Sequence, residues 1–86
     1  HLAEILSQRI GAFKKVKKVL PVETNIIIFD LMETAPTAQE LTKALAKKEI
    51  LIGAFGERRI RIVTHLDVND QYGEVLITEL ARHLYR

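Results

Sequence analysis

Apolar and polar positions change rhythm several times along this chain, and the changes mark out its elements. Leu2, Ile5, Leu6, Ile10 and Phe13 recur at helical spacing and predict a first helix from about residue 2 to residue 11, ended or loosened at Gly11. Ile26-Ile27-Ile28-Phe29-Asp30-Leu31 reads as a strand that is apolar at both parities, which predicts burial of both its faces. Thr37-Ala38-Gln39-Glu40 fits a capping box, so a second helix is expected from Ala38 to about Lys48, with Leu41, Ala44 and Leu45 inward. Ile50 to Phe55 and Arg59 to Leu66 are two further strands. Phe55-Gly56-Glu57-Arg58 joins them as a two-residue hairpin, with Gly56 at the first central position of a type II′ turn. Asn69 or Asp70 caps a last helix, whose stripe is Tyr72, Leu76, Leu80 and Leu84, widened by Val75 and Ile77.

Between the first helix and the first strand lies Lys14-Lys15-Val16-Lys17-Lys18-Val19-Leu20-Pro21. It is a solvated connection, a short edge strand whose lysines blunt the edge, or a phosphate-binding patch. The expected order is helix, strand, helix, strand, strand, helix. The fold class that follows is α+β, a mostly antiparallel three- to four-stranded sheet with helices on one face. Residues 1–86 form a single domain, because 86 residues hold one core.

Alternation assigns the faces. Ile60, Ile62 and Thr64 share one side of their strand and are the natural partners of the helices, while Arg59, Arg61, Val63 and His65 share the other. Three short helices cover one face of such a sheet. The second face is therefore covered by a domain or subunit outside this chain, or crossed by the first helix, or small because the sheet is narrow and twisted. Arg61 lies centrally on it. A guanidinium grips a carboxylate through two parallel hydrogen bonds, so one reading of Arg61 is an anion clamp. The other is a surface arginine paired with Glu57 or Asp67.

Composition narrows the chemistry. The 48% hydrophobic content suits a packed core and excludes a disordered chain. The absence of cysteine removes disulfides, thiolate metal sites and a cysteine nucleophile. His1, His65 and His83 lack metal-ligand spacing. No glycine-rich phosphate loop and no G-x-S-x-G turn occurs. The net charge of +2 is too small to argue for nucleic acid, and the basic residues lack the interleaved aromatics on which bases stack. No apolar run approaches the ~20 residues of a membrane span. The chain opens on His1 without a methionine or a signal-peptide pattern, as expected of a piece of a longer protein.

Two blocks carry a resemblance to a known family. Val22-Glu23-Thr24-Asn25-Ile26-Ile27-Ile28-Phe29 is one. Ile50-Leu51-Ile52, followed by Arg61-Ile62-Val63-Thr64-His65-Leu66-Asp67-Val68 with its R-x-V-T-H-x-D-V pattern, is the other. Together they resemble the C-terminal small domain of threonine aldolases, fold-type I enzymes that use pyridoxal phosphate (PLP), and the resemblance spans almost the whole chain. It implies a domain of a cytoplasmic aldehyde-lyase, a tetramer when intact, that cleaves threonine or allo-threonine to glycine and acetaldehyde. It makes Arg61 the group that binds the α-carboxylate of the amino-acid substrate, and assigns no catalytic role to Asn25 or His65. The cofactor and the lysine that carries it belong to a large domain absent from these residues, so the 86 residues alone are expected to be inactive. The alternative is a free-standing ferredoxin-like module that binds a ligand or dimerises through the open sheet face.

Overall fold

The computed structural model describes residues 2–64 and 70–84. Its elements are α1 (Leu2–Gly11), β1 (Val16–Val19), β2 (Ile26–Leu31), α2 (Ala38–Ala46), β3 (Gly53–Ala54), β4 (Arg59–Val63) and α3 (Asp70–Leu84). The four strands form one sheet in the order β1-β2-β4-β3, antiparallel at every pairing. The fold is α+β with the helices on one face. The buried side of β2 (Ile27, Phe29, Leu31) and of β4 (Ile60, Ile62) meets Ala3, Leu6 and Ile10 of α1, Leu41 and Leu45 of α2, and Leu76, Ile77, Leu80 and Leu84 of α3 in one apolar cluster. Gly73 lets α1 approach α3 closely, since a Cβ there would lie 3.2 Å from Leu6 Cδ2.

The helix ends follow from local chemistry. At the start of α2 the Thr37 hydroxyl accepts from the Glu40 N–H at 3.2 Å, and the Thr37 N–H donates to the Glu40 carboxylate at 2.8 Å, which completes the capping box. At its far end Glu49 takes φ +61°. Its N–H donates to the Ala46 carbonyl and the Ile50 N–H donates to the Leu45 carbonyl, the paired bonds of a Schellman close. The helix therefore stops at Ala46, short of the expected Lys48.

The same close shortens the next strand. Ile50 turns its N–H back to the helix and is buried, so the expected strand from Ile50 to Phe55 pairs with β4 only at Gly53 and Ala54. The two-residue type II′ turn is not formed. Phe55 donates its N–H to the Arg59 carbonyl at 2.7 Å, which leaves Gly56, Glu57 and Arg58 as a three-residue loop, with Gly56 at φ +120°. The segment between β2 and α2 sets this length. The Glu57 carbonyl accepts from the Ala38 N–H, the Arg58 carbonyl accepts from the Leu31 N–H, and the Arg58 guanidinium donates to the Ala35 and Met32 carbonyls at 2.8 and 3.3 Å.

One open reading is settled and two further expectations are revised. The lysine-rich segment is an edge strand, with Lys17 and Lys18 exposed, a register shift between Val16 and Lys18, and Lys15 donating to the Thr34 carbonyl. The order thus becomes α-β-β-α-β-β-α. β2 is not buried on both faces: Ile26, Ile28 and Asp30 remain half-buried because the helices pack on the opposite side. Ile5 and Val75, counted into apolar stripes, stand 54% and 46% exposed, off the strip of helix that faces the sheet. Residues 65–69, and with them the readings for His65, Leu66, Asp67, Val68 and Asn69, lie outside the described residues.

Candidate functional site

Strand pairing fixes what the uncovered face presents. Ile26 lies opposite Val63, Ile28 opposite Arg61 and Asp30 opposite Arg59, all on the side away from the helices. At one end the Arg59 Nε and Nη2 donate to the two Asp30 carboxylate oxygens at 2.6 and 3.1 Å, a two-point grip. The bond from Arg59 holds the Asp30 carboxyl below its ordinary pKa, against the opposing effect of burial and with help from the charges of Arg59, Lys18 and Lys17. The bond to Asp30 correspondingly raises the Arg59 guanidinium.

Arg61, one turn of the pleat away, is exposed and forms no ion pair with any described residue. Glu57, one of the two acids expected beside it, lies 3.8 Å from Arg58 instead. The other, Asp67, is outside the described residues. Of the two arginines that β4 puts on this face, Arg59 is paired within the domain and Arg61 has no ion pair among the described residues.

The surroundings of Arg61 are concave and mostly apolar. A depression of about 420 Å³ is lined by Leu20, Pro21, Glu23, Ile26, Ile28, Phe55 and Arg61. Phe55 is 57% exposed although it is a large aromatic side chain. The depression thus sets one cation, Arg61, and one carboxylate, Glu23, around a mostly apolar floor.

Beside this depression the two sequence blocks meet. The Asn25 side-chain amide donates to the Thr64 carbonyl at 2.5 Å, while the Thr64 N–H and hydroxyl both donate to the Asn25 carbonyl, at 2.8 and 3.0 Å. Thr24, just before, is held at φ +54°, a region that a β-branched residue seldom enters. Its hydroxyl donates to the Glu23 carbonyl at 2.6 Å and lies 3.1 Å from the Asn25 Oδ1. The Ile26 N–H closes this tight turn onto the Glu23 carbonyl. The strained turn aims the Asn25 amide at the end of β4 and pins the register that places Arg61.

The sequence readings singled out Arg61 correctly as a central residue of the open face. They did not find the Asp30–Arg59 grip, the Asn25–Thr64 clamp or Glu23. Asp30 and Arg59 are 29 positions apart, and their opposition depends on the β2–β4 register, which no local pattern encodes. Among the described residues no group of three His, Asp or Glu side chains converges as a metal site, and no helix is long and apolar enough to cross a membrane. All seven lysines are exposed or half-buried. A lysine that carries PLP needs a covered site that makes its amine nucleophilic, so the residues present do not fit attachment of that cofactor. No family model matches the chain, and no curated protein matches it.

Proposed function

We propose that this chain is the small domain of a PLP-dependent aldehyde-lyase that cleaves threonine or allo-threonine to glycine and acetaldehyde, and that Arg61 binds the substrate α-carboxylate. The observation that carries the reading is the pair of arginines on the open face: Asp30 occupies Arg59, while Arg61 pairs with no described residue and lines a mostly apolar depression. An unmatched guanidinium beside apolar side chains is costly once that face is covered, unless an anion joins it. A substrate carboxylate is such an anion, and a two-point grip fixes its orientation as well as its position. The R-x-V-T-H-x-D-V block, of which Arg61 is the first residue, supports the same assignment through its resemblance to the aldolases.

PLP, held by residues outside this chain, would supply the stabilisation of charge at the substrate α-carbon. Its lysine and its phosphate seat belong to a large domain that closes over the open face, and this chain contributes one wall of the site and one substrate contact. The intact assembly is a tetramer on this reading. The experiment is to express the complete reading frame that encodes these residues and record its visible absorbance and intact mass. A PLP-bearing domain preceding His1 is the expected result. A complete protein that begins at His1 and binds no cofactor would overturn the reading and leave a free-standing ligand-binding or dimerisation module.

A further inference from the structure

The open face carries a closed pair of charges and a separated one. Asp30 lies directly across from Arg59, which grips it at two points. Glu23 and Arg61 are the two charged residues that line the apolar depression, and among the described residues neither forms an ion pair. Register sets the gap between them. Arg61 lies opposite Ile28, and Ile26 lies opposite both Val63 and Glu23. Glu23 therefore flanks β2 on the side away from β4, two strand spacings and two residues along from Arg61. With strands about 4.8 Å apart and a rise of about 3.4 Å per residue, their Cα atoms are roughly 12 Å apart, with Ile26 and Ile28 between them. The turn that carries Glu23 is anchored. Its carbonyl accepts from the Ile26 N–H at 3.0 Å and from the Thr24 hydroxyl at 2.6 Å, with Thr24 held at φ +54°. Backbone strain of this kind persists where the surroundings over-determine it, and it gathers at ligand sites.

An α-amino acid in solution carries a carboxylate and an ammonium group on one carbon. Charge-assisted hydrogen bonds of about 2.8 Å at both ends give it a span of roughly 8 Å from guanidinium nitrogen to carboxylate oxygen. Two side chains rooted about 12 Å apart and leaning toward each other leave such a gap. We infer that the depression seats a free α-amino acid in its zwitterionic form, with the carboxylate on Arg61, the ammonium on Glu23 and the carbon skeleton on the apolar floor. The inference rests on the proposed role of Arg61 and adds Glu23 as a specificity-determining residue. Arg61 alone selects any small carboxylate, and Glu23 selects those that also carry an ammonium group.

The test uses the full-length protein with its cofactor bound. Wild type, Glu23→Gln and Arg61→Ala are compared by thermal melting and by calorimetric titration with two probes: glycine, which carries both charges, and acetate, which carries only the carboxylate. Glu23→Gln should melt at the wild-type temperature, because the Glu23 side chain has no ion pair among the described residues to lose. Its affinity for glycine should fall about tenfold, the loss of one charge-assisted bond. Its affinity for acetate should hold or rise, since a negative charge beside the seat is gone. Arg61→Ala should lose affinity for both probes. Wild-type glycine affinity in Glu23→Gln would overturn the inference, as would an equal loss for glycine and acetate, or a loss that tracks a fall in melting temperature. The two readings separate cleanly. If Arg61→Ala loses both probes while Glu23→Gln keeps glycine, the Glu23 role alone is wrong. If Arg61→Ala binds both as the wild type does, the proposed function is wrong whatever Glu23→Gln does.

Discussion

Asn25 gives the sharpest test of how this sheet holds its register. Its side-chain amide donates to the carbonyl of Thr64, a residue only 6% exposed. Asn25→Ala removes that donor and leaves a largely buried acceptor unpaired, which costs about 1–2 kcal/mol. For a domain of this size the melting temperature should drop by roughly 5–15 °C. Asn25→Asp keeps the shape but places a carboxylate oxygen against the carbonyl oxygen, so at neutral pH it should destabilise more than the alanine does. Protonation restores a donor. Only the protonated carboxyl bonds to Thr64, so its pKa in the folded state stands above that of the unfolded chain. The restored bond is fully present below the unfolded value, about 3.9, and is lost as pH rises through the folded one. Urea unfolding of wild type and both variants at pH 7.5 and pH 4 reads this directly. The gap between Asn25→Asp and wild type should shrink at pH 4, and the gap for Asn25→Ala should stay nearly constant. An aspartate variant as stable as wild type at pH 7.5 would refute the reasoning, since the amide would then not be donating to Thr64.

Glu49 occupies a left-handed position that favours glycine, at φ +61°. Glu49→Gly should stabilise the domain by about 0.5–1 kcal/mol after the greater freedom of glycine in the unfolded chain is counted. A lower midpoint in urea would show that the Glu49 side chain matters more than its backbone. The Asp30 carboxyl, held below its ordinary pKa by Arg59, contributes stability above the unfolded value and loses it as pH falls through the lower folded one. The stability gap between wild type and Asp30→Asn should therefore narrow below about pH 4. A gap independent of pH would mean that the ion pair contributes nothing to folding.

What was legible in the sequence was what depends on near neighbours. The capping box at Thr37–Glu40, the buried face Ile60-Ile62-Thr64 and the uncovered face with Arg61 all follow from spacing within a few residues. Helix and strand periodicity were enough to place the helices on one side. The hairpin was misjudged because its length is set by hydrogen bonds from Leu31 and Ala38, residues about 20 or more positions away. The strand after α2 was overestimated for a related reason. Ile50 reads as the start of an apolar run, but its N–H is spent on the helix end. The Asp30–Arg59 grip needed the register of two strands separated by a whole helix. Asn25 stood out as part of a motif, and its physical role became visible only when Thr64 was placed beside it. Thr24, strained at φ +54° next to that amide, carries no sequence signal of its conformation.

The proposed role of Arg61 is to hold the substrate carboxylate in a PLP enzyme. It is tested most directly by steady-state kinetics of the full-length protein with Arg61→Ala, following acetaldehyde released from threonine while the bound cofactor is monitored by its visible absorbance. The loss of a two-point, charge-assisted grip should lower kcat/KM by about 10²–10³-fold and leave cofactor content at the wild-type level. A variant that turns over threonine as the wild type does would contradict the account.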